Sequence, residues 1–567
     1  MTAGVRRRWR DGRPALPSPA RRHRLPTVLA VLAVLAGIGY RLGLLLHETP
    51  PTNSDEATMG LAALHISRGQ EFPVWFYGQA YMGTLEAYLA APVFALAGPS
   101  TLGLRLPTLA LYAVFVVLAW RLTLRLTGDR WFALLVVALL ALGSDRVVKN
   151  QLIAGGGYPE MNAAGVALAV LAYDLAARRP GRRLPRWTAW GFLAGLMLWV
   201  DPLVLPYVAA TGAVLLASCR WELRGRAGAL LGAAALVGAG PLLVHSLLTG
   251  RDPLAAVLAA GGSGQAVGWA DRLHGGLVLG PPLGMGFCSP GHCTPGQLWW
   301  ALALPPLLVA AALSAWRALR PPAGDLGQLP FGADGNCPRS PAATEPVGGA
   351  VRLALVAAAV ATLAAYTISS AAGRTPVESS RYLSCLLISV PALLWPLWPA
   401  ARRAAGAGTV EAEIARKRGG PGARWRGVVG IAAAVVLAAT LGTAAVATAG
   451  AVDAARAARA AEARHADLVA ALRQRGVRHV YGGYWTCNRL IFATREDVLC
   501  AVVDDDLRPG HDRYPPYGRA VRGSAAPAWV ALAGSPLAAR LDERRRAEPG
   551  AFDLVTVPGW RIYLPRR

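Results

Sequence analysis

Eleven apolar stretches recur along this chain, near residues 26–46, 104–120, 131–144, 161–177, 187–200, 202–219, 227–249, 298–316, 353–371, 382–400 and 427–450. A bilayer core about 30 Å thick takes roughly 20 apolar residues per helix. In hydrocarbon every backbone polar group must be satisfied within the spanning segment, so such stretches fold as helices. The expected class is therefore mainly α: a polytopic membrane protein of about 11 transmembrane helices. Only 16% of residues are charged, against about 25% in a soluble domain. The 63 Gly and 42 Pro lie among Leu/Ala/Val runs, and disorder requires low hydrophobicity.

A net charge of +25 invites a nucleic-acid reading, but the placement of the basic residues argues otherwise. Eight Arg precede residue 26, five fall in 178–186 and seven Lys/Arg in 402–426, while the alternate connections are nearly free of them. This alternation fits the positive-inside rule with a cytoplasmic amino terminus. It requires the apolar segment 83–98 to lie along the interface without crossing. The chain then divides into a cytoplasmic basic segment 1–25, a membrane domain 26–450 and an extracytoplasmic tail 451–567. The expected location is the cell membrane, multi-pass, with no nucleic-acid partner. Segment 26–46 reads as an uncleaved signal anchor, since no clear small-residue cleavage site follows it.

The tail opens with an Ala/Arg-rich helix near 453–475. Val477–Tyr481, Asn488–Thr494, Val498–Val503, Ala528–Leu532 and Phe552–Val557 follow as short apolar strand candidates. Together they predict a small α/β domain. Cys288 and Cys293 share one outer loop, and Cys487 and Cys500 share the tail; Cys219, Cys337 and Cys385 are single. Pairing outside the cell favours disulfides at 288–293 and 487–500. A zinc site at Cys288, His292 and Cys293 lacks a fourth ligand nearby.

The polar residues of the outer loops carry the candidate chemistry. Asp55 and Glu56 follow the first apolar stretch; Tyr77, Gln79 and Glu86 lie in the aromatic run after them. Adjacent acids can be plain solubilisers, but this loop holds little other charge. Glu160 stands at the mouth of the fourth span, where an ionisable group is a functional candidate or a helix cap. Arg374, Arg381 and Tyr382 form the short connection before the tenth span. Arg381 suits either an interfacial anchor or a phosphate ligand. No G-x-x-x-x-G-K-[ST] run appears, and the Asp504–Asp506 cluster lacks calcium-loop spacing. No residue cluster demands a cofactor, although a divalent metal stays open.

The order Asp55-Glu56, Tyr77-Gly78-Gln79-Ala80-Tyr81-Met82-Gly83 with Glu86, Leu104-Arg105-Leu106-Pro107, Trp190-Gly191-Phe192-Leu193-Ala194-Gly195-Leu196 and Arg381-Tyr382-Leu383 resembles the GT-C glycosyltransferase superfamily. The likeness is to its protein O-mannosyltransferase and aminoarabinose-transferase-like members, over about the first 400 residues. It implies a dolichyl- or polyprenyl-phosphate-linked sugar as donor and a glycan, lipid or protein acceptor, with membrane lipid around the spans. It implies Asp55 as general base, Glu160 or Glu86 as a second acid toward the acceptor, and Arg381 on the donor phosphate. The chain lacks the Lys-Pro-Pro run of the aminoarabinose enzymes and the Trp-Trp-Asp motif of oligosaccharyltransferases. Two other readings stay open: a lipid-linked glycan polymerase or flippase, and a non-catalytic envelope assembly protein.

Overall fold

The computed structural model describes residues 19–252, 267–320, 344–405 and 421–566; Cys337 lies outside them. All eleven apolar stretches are helical. The membrane-domain helices up to residue 249 are α1 (Pro19–Leu46), α2 (Ser54–Ser67), α3 (Leu85–Ala97), α4 (Thr101–Thr127), α5 (Arg130–Ala141), α6 (Asp145–Leu152), α7 (Tyr158–Ala176), α8 (Arg183–Val200), α9 (Leu205–Cys219), α10 (Arg226–Gly238) and α11 (Gly240–Thr249). Among the described residues, seven helical segments are long and apolar enough to cross a membrane. The number rises to nine if two bent pairs, α5–α6 and α10–α11, each count once.

The other two of the expected eleven are α7 and α8. Nearly all of α7 is buried in protein, including Glu160, Asn162 and Asp174. A helix shielded from lipid can carry polar groups, which lowers its hydropathy. The first turn of α8 is spent on Arg183 and Arg186.

The α5–α6 break, an 88° bend, frees carbonyls that hydrocarbon cannot satisfy. Buried Arg41 supplies the donors, giving Nη1 to the Ala141 carbonyl at 2.9 Å and Nη2 to that of Leu142 at 3.2 Å. Its Nε holds Gln151 at 2.7 Å, and its guanidinium stacks on the Tyr112 ring.

Two helices of the first long connection lie outside the bundle. The α3 helix forms within the segment 83–98 that was expected to lie along the interface, and it is apolar but too short to be counted among the crossing helices. The α2 helix takes in acids that the residue pattern alone reads as loop. Its start is nonetheless encoded: Asn53 is the N-cap and accepts from the Glu56 N–H at 2.8 Å, with Asp55 and Glu56 in the first turn.

The tail grows from one continuous helix, Pro421–Gln474, so no structural break marks residue 450. A five-stranded sheet follows in the order β2-β1-β3-β5-β4: β1 His479–Gly482, β2 Leu499–Val502, β3 Ala528–Leu532, β4 Phe552–Val557 and β5 Trp560–Pro565. β1 runs parallel to β2 and β3, while β5 is antiparallel to β3 and β4. The segment 488–494, expected as a strand, is helical within Tyr484–Ala493. The parallel β1–β2 pair needs a crossover, and this helix provides it. Its period buries Cys487, Leu490 and Ile491 on one face. β5 was missed, although Trp560 and Ile562 alternate inward after the Pro558-Gly559 turn.

The tail does not stand apart. Met59, Leu61 and Leu64 of α2 and Phe94 of α3 share one apolar cluster with Val480, Leu490, Ile491 and Trp560. The Phe94 and Phe492 rings stack at 6.1 Å, and Phe492 lies so close to Gly60 that a side chain there would collide with it. The disulfides Cys288–Cys293 and Cys487–Cys500 are both present; the second ties the crossover helix to β2.

Candidate active site

The first turn of α2 separates its two acids. Glu56 is fully buried and grips Arg105 of α4 with both oxygens: Nε donates to Oε1 at 2.6 Å and Nη2 to Oε2 at 2.5 Å. Arg105 also donates to the Pro50 carbonyl at 2.8 Å. This bidentate pair leaves Glu56 no free oxygen for a substrate, so its place differs from the catalytic one expected of it.

Asp55 points the other way, toward the tail. Its Oδ1 accepts from the Tyr484 hydroxyl at 2.6 Å and from Arg513 Nη2 at 2.8 Å. Arg513 Nε in turn donates to the Tyr484 oxygen, and its guanidinium lies over the Phe76 ring at 4.7 Å. Burial, with the Asp55 charge beside it, pushes the Tyr484 phenol up to about 12, so it stays a donor at neutral pH. Oδ2 of Asp55 receives no hydrogen bond from a described residue, and the side chain is 18% exposed. Ser54 fastens the same turn, donating to the Tyr484 carbonyl at 2.7 Å and accepting from Asn488 at 3.0 Å.

Arg381 lies within electrostatic reach of Asp55. Its guanidinium sits 5.5 Å from the Tyr158 ring centroid and 5.7 Å from that of Tyr382. Asp201 lies within the same reach. Tyr158 and Tyr382 stack on each other, and Tyr81 feels both Arg381 and Arg513. Arg381, Tyr158 and Tyr382 thus form one aromatic-cationic group, within electrostatic reach of Asp55, Asp201 and Tyr81.

Behind it the Gly155–Gly157 turn packs tightly. Gly156 and Gly157 have φ of +137° and +78°; a Cβ at Gly156 would overlap the Met82 methyl, and one at Gly157 would press on Asp201 and Val200 at 3.0 Å. Glu86 holds this turn by accepting from Gly157 N at 3.2 Å and Gly156 N at 3.4 Å. Burial raises Glu86 to about 7, against the opposing pull of those N–H groups. Asp201 also rises to about 7, again through burial, although the Leu203 N–H and Arg381 oppose it. Glu160 is buried beside them, and neither of its oxygens has a partner among the described residues.

Other expected residues fall elsewhere. Gln79 lies half-buried in the 75–83 hairpin, its N–H closing a turn onto the Phe76 carbonyl at 2.9 Å. The Tyr77 hydroxyl joins a docking network with Glu71 and His65 at 2.8 and 2.7 Å, turned away from Asp55. Arg374 is exposed and donates to Ser370 Oγ at 2.7 Å, outside the group around Arg381. Asp201 is not among the expected site residues; Tyr484 and Arg513 lie in aromatic, turn-rich segments that suit sugar stacking or loop packing, but nothing in the sequence ties them to Asp55. Asp201 interrupts two apolar stretches, a signal open to reading. Nothing local couples Arg513 to a residue 458 positions away. Among the described residues no group of three His, Cys, Asp or Glu side chains is placed to hold a metal.

No family profile matches the chain, and no curated protein matches it by sequence. Solved structures do. ArnT from Cupriavidus metallidurans bound to undecaprenyl phosphate superposes with a TM-score of 0.54 at 15% identity, covering 96% of this chain and 98% of that one. This chain has the GT-C fold. ArnT in the apo state gives 0.55 at 13% identity over the same shares. The archaeal oligosaccharyltransferase AglB from Archaeoglobus fulgidus, in complex with an inhibitory peptide and a dolichol-phosphate, gives 0.45 at 12% identity over 96% of this chain and 75% of that one. The GT-C fold accounts for the polytopic helical bundle, with the small sheet domain following it in sequence.

Proposed function

We propose that the chain is a membrane glycosyltransferase. It moves a sugar from a polyprenyl-phosphate-linked donor to an acceptor hydroxyl on the extracytoplasmic face, with its amino terminus cytoplasmic. The observation that carries this reading is the two-sided environment of Asp55: one oxygen is tied to Tyr484 and Arg513, the other receives no hydrogen bond from a described residue, and Arg381 lies within electrostatic reach. The GT-C fold, seen in an ArnT structure bound to undecaprenyl phosphate, supports the donor class.

A sugar or protein hydroxyl is a weak nucleophile at neutral pH. Asp55 Oδ2 takes its proton as the oxygen attacks the anomeric carbon. The bond from that carbon to the phosphate oxygen breaks, and the electron pair leaves on the polyprenyl phosphate. Arg381 stabilises the growing negative charge. Attack and departure on opposite faces invert the anomeric centre. In this scheme Glu56 acts through Arg105 to hold the α2 start, and Glu86 sets the Gly155–Gly157 turn. Glu160 and Asp201 line the acceptor side, and Tyr382 shields Arg381.

The test is mass spectrometry of envelope glycans and glycoproteins from a strain lacking the gene, complemented with the wild-type chain or with Asp55→Asn. The wild type should restore a glycan that Asp55→Asn does not. Full restoration by the variant removes Asp55 as base.

A further inference from the structure

A cavity of about 210 Å³ lies apart from Asp55, where α4 begins beneath the tail. Thr52, Ser100, Thr101, His465, Arg489 and Arg495 are among its lining residues. Ser100 caps α4 by accepting from Gly103 N at 3.0 Å, and its carbonyl takes the Leu104 N–H. The N–H groups of Thr101 and Leu102 stay at the open end of a 27-residue helix.

The charges around this opening are unbalanced. Glu462 is the one acid in the lining; its Oε1 accepts from Arg489 at 3.0 Å and from the Thr52 N–H at 2.8 Å. The backbone N–H of Arg495 donates to the Phe492 carbonyl at 3.0 Å, but its exposed side chain has no hydrogen-bond or ion-pair partner among the described residues, and the Arg489 Nε is buried without one. His465 is 6% exposed, and its Nε2 also has no partner. Two guanidiniums thus face one carboxylate at a helix amino end, a combination that recognises phosphate oxygens.

The rim locates this feature. Leu96 at the end of α3 is 90% exposed, and Leu102 and Leu106 on α4 are exposed as well. These side chains flank the lining residues Pro99–Thr101. Large apolar groups turned outward on interfacial and spanning helices lie in lipid, which puts the cavity at head-group depth.

We infer that this cavity is a binding site for a phosphate group at the membrane surface, separate from the space around Asp55. The ligand chemistry is a phosphate ester of a lipid head group, or free phosphate reaching the same cradle. The full-length protein in detergent is titrated with a short-chain phosphatidylglycerol, with the matching diacylglycerol that lacks the phosphate, and with inorganic phosphate, read by native mass spectrometry. The phospholipid should bind and the diacylglycerol should not. Arg495→Gln, a surface change, should weaken binding about tenfold, and Arg489→Gln should weaken it further. Displacement of the phospholipid by inorganic phosphate identifies the phosphate alone as sufficient; resistance to displacement identifies the lipid ester. Unchanged affinity in Arg495→Gln, or no phosphate compound bound by the wild type, overturns the site. Asp55→Asn should bind like the wild type, so failure of the transfer reading and failure of this one are told apart.

Discussion

The two sides of the α2 first turn are built to opposite specifications. On the α4 side, Glu56 and Arg105 form a dry pair in which all three guanidinium nitrogens and both carboxylate oxygens are engaged. On the tail side, Asp55 is braced at one oxygen and open at the other. Two acids adjacent in sequence thereby separate into a fastening and the group that the proposed mechanism uses as base. The helix does the sorting: residues one apart diverge by about 100° around its axis, so neighbours cannot share a face.

Three substitutions test that division, beginning with the largest effect. Asp55→Asn keeps the shape and removes the base, so transfer should fall by at least about a hundredfold. The thermal unfolding midpoint in detergent should stay close to that of the wild type. A variant with near-normal turnover would erase the distinction between the two acids. Glu56→Ala should act the other way round. It strands the Arg105 charge in the interior and should cost about 3–5 kcal/mol of stability, measured as a large drop in that midpoint. Arg513→Lys probes the brace from the tail. Lysine cannot bridge Asp55 and Tyr484 as the guanidinium fork does, so kcat should fall about tenfold while donor KM changes little.

The sequence reading succeeded where lipid dictates the pattern and failed where protein covers protein. Spans such as α1 and α4 announce themselves because their outer faces must be apolar. The α2 helix hides its apolar face under the tail, so its signals were a cap and two acids, easily taken for a loop. The same cover explains the 488–494 error: Leu490 and Ile491 are apolar because they pack on α2 and on the sheet. Asp55, Glu86 and Arg381 were legible as charges in places that should have few. The pairing of Tyr484 and Arg513 with Asp55 was not, since a brace assembled across more than 400 residues leaves no trace in spacing. Arg374 was overvalued because position in a short loop does not reveal which way a side chain turns.

The buried carboxylates behind the site respond to pH with a defined sign. Glu86 rises from 4.5 to about 7 in the folded chain. Its contribution is therefore full below the unfolded value and is lost as pH rises through about 7. The wild-type unfolding midpoint should be lower at pH 8 than at pH 5. Glu86→Gln, which cannot ionise, should narrow that difference. An unchanged pH slope would mean that Glu86 holds its charge in both states.

The smallest effect belongs to the docking network at the far end of α2, where the contrast reverses. Glu496 of the tail accepts from the Tyr517 hydroxyl at 2.8 Å, meets His65 at 3.1 Å and also pairs with Arg68. Burial works to raise this carboxyl, but those donors and positive charges outweigh it and hold it down at about 2. The sign is opposite to that of Glu86: the contribution is present above the ordinary value near 4.5 and is lost as pH falls toward 2. Because the Arg68 arm is partly exposed, screening trims the gain, and Glu496→Gln should cost only about 1 kcal/mol. Hydrogen exchange localises it. Near pH 7 the variant should exchange faster at the α2 carboxyl end and in residues 494–498, with the Asp55 turn unchanged. Equal loosening at both ends would show that α2 docks as a single unit, and that the brace on Asp55 depends on the whole tail interface.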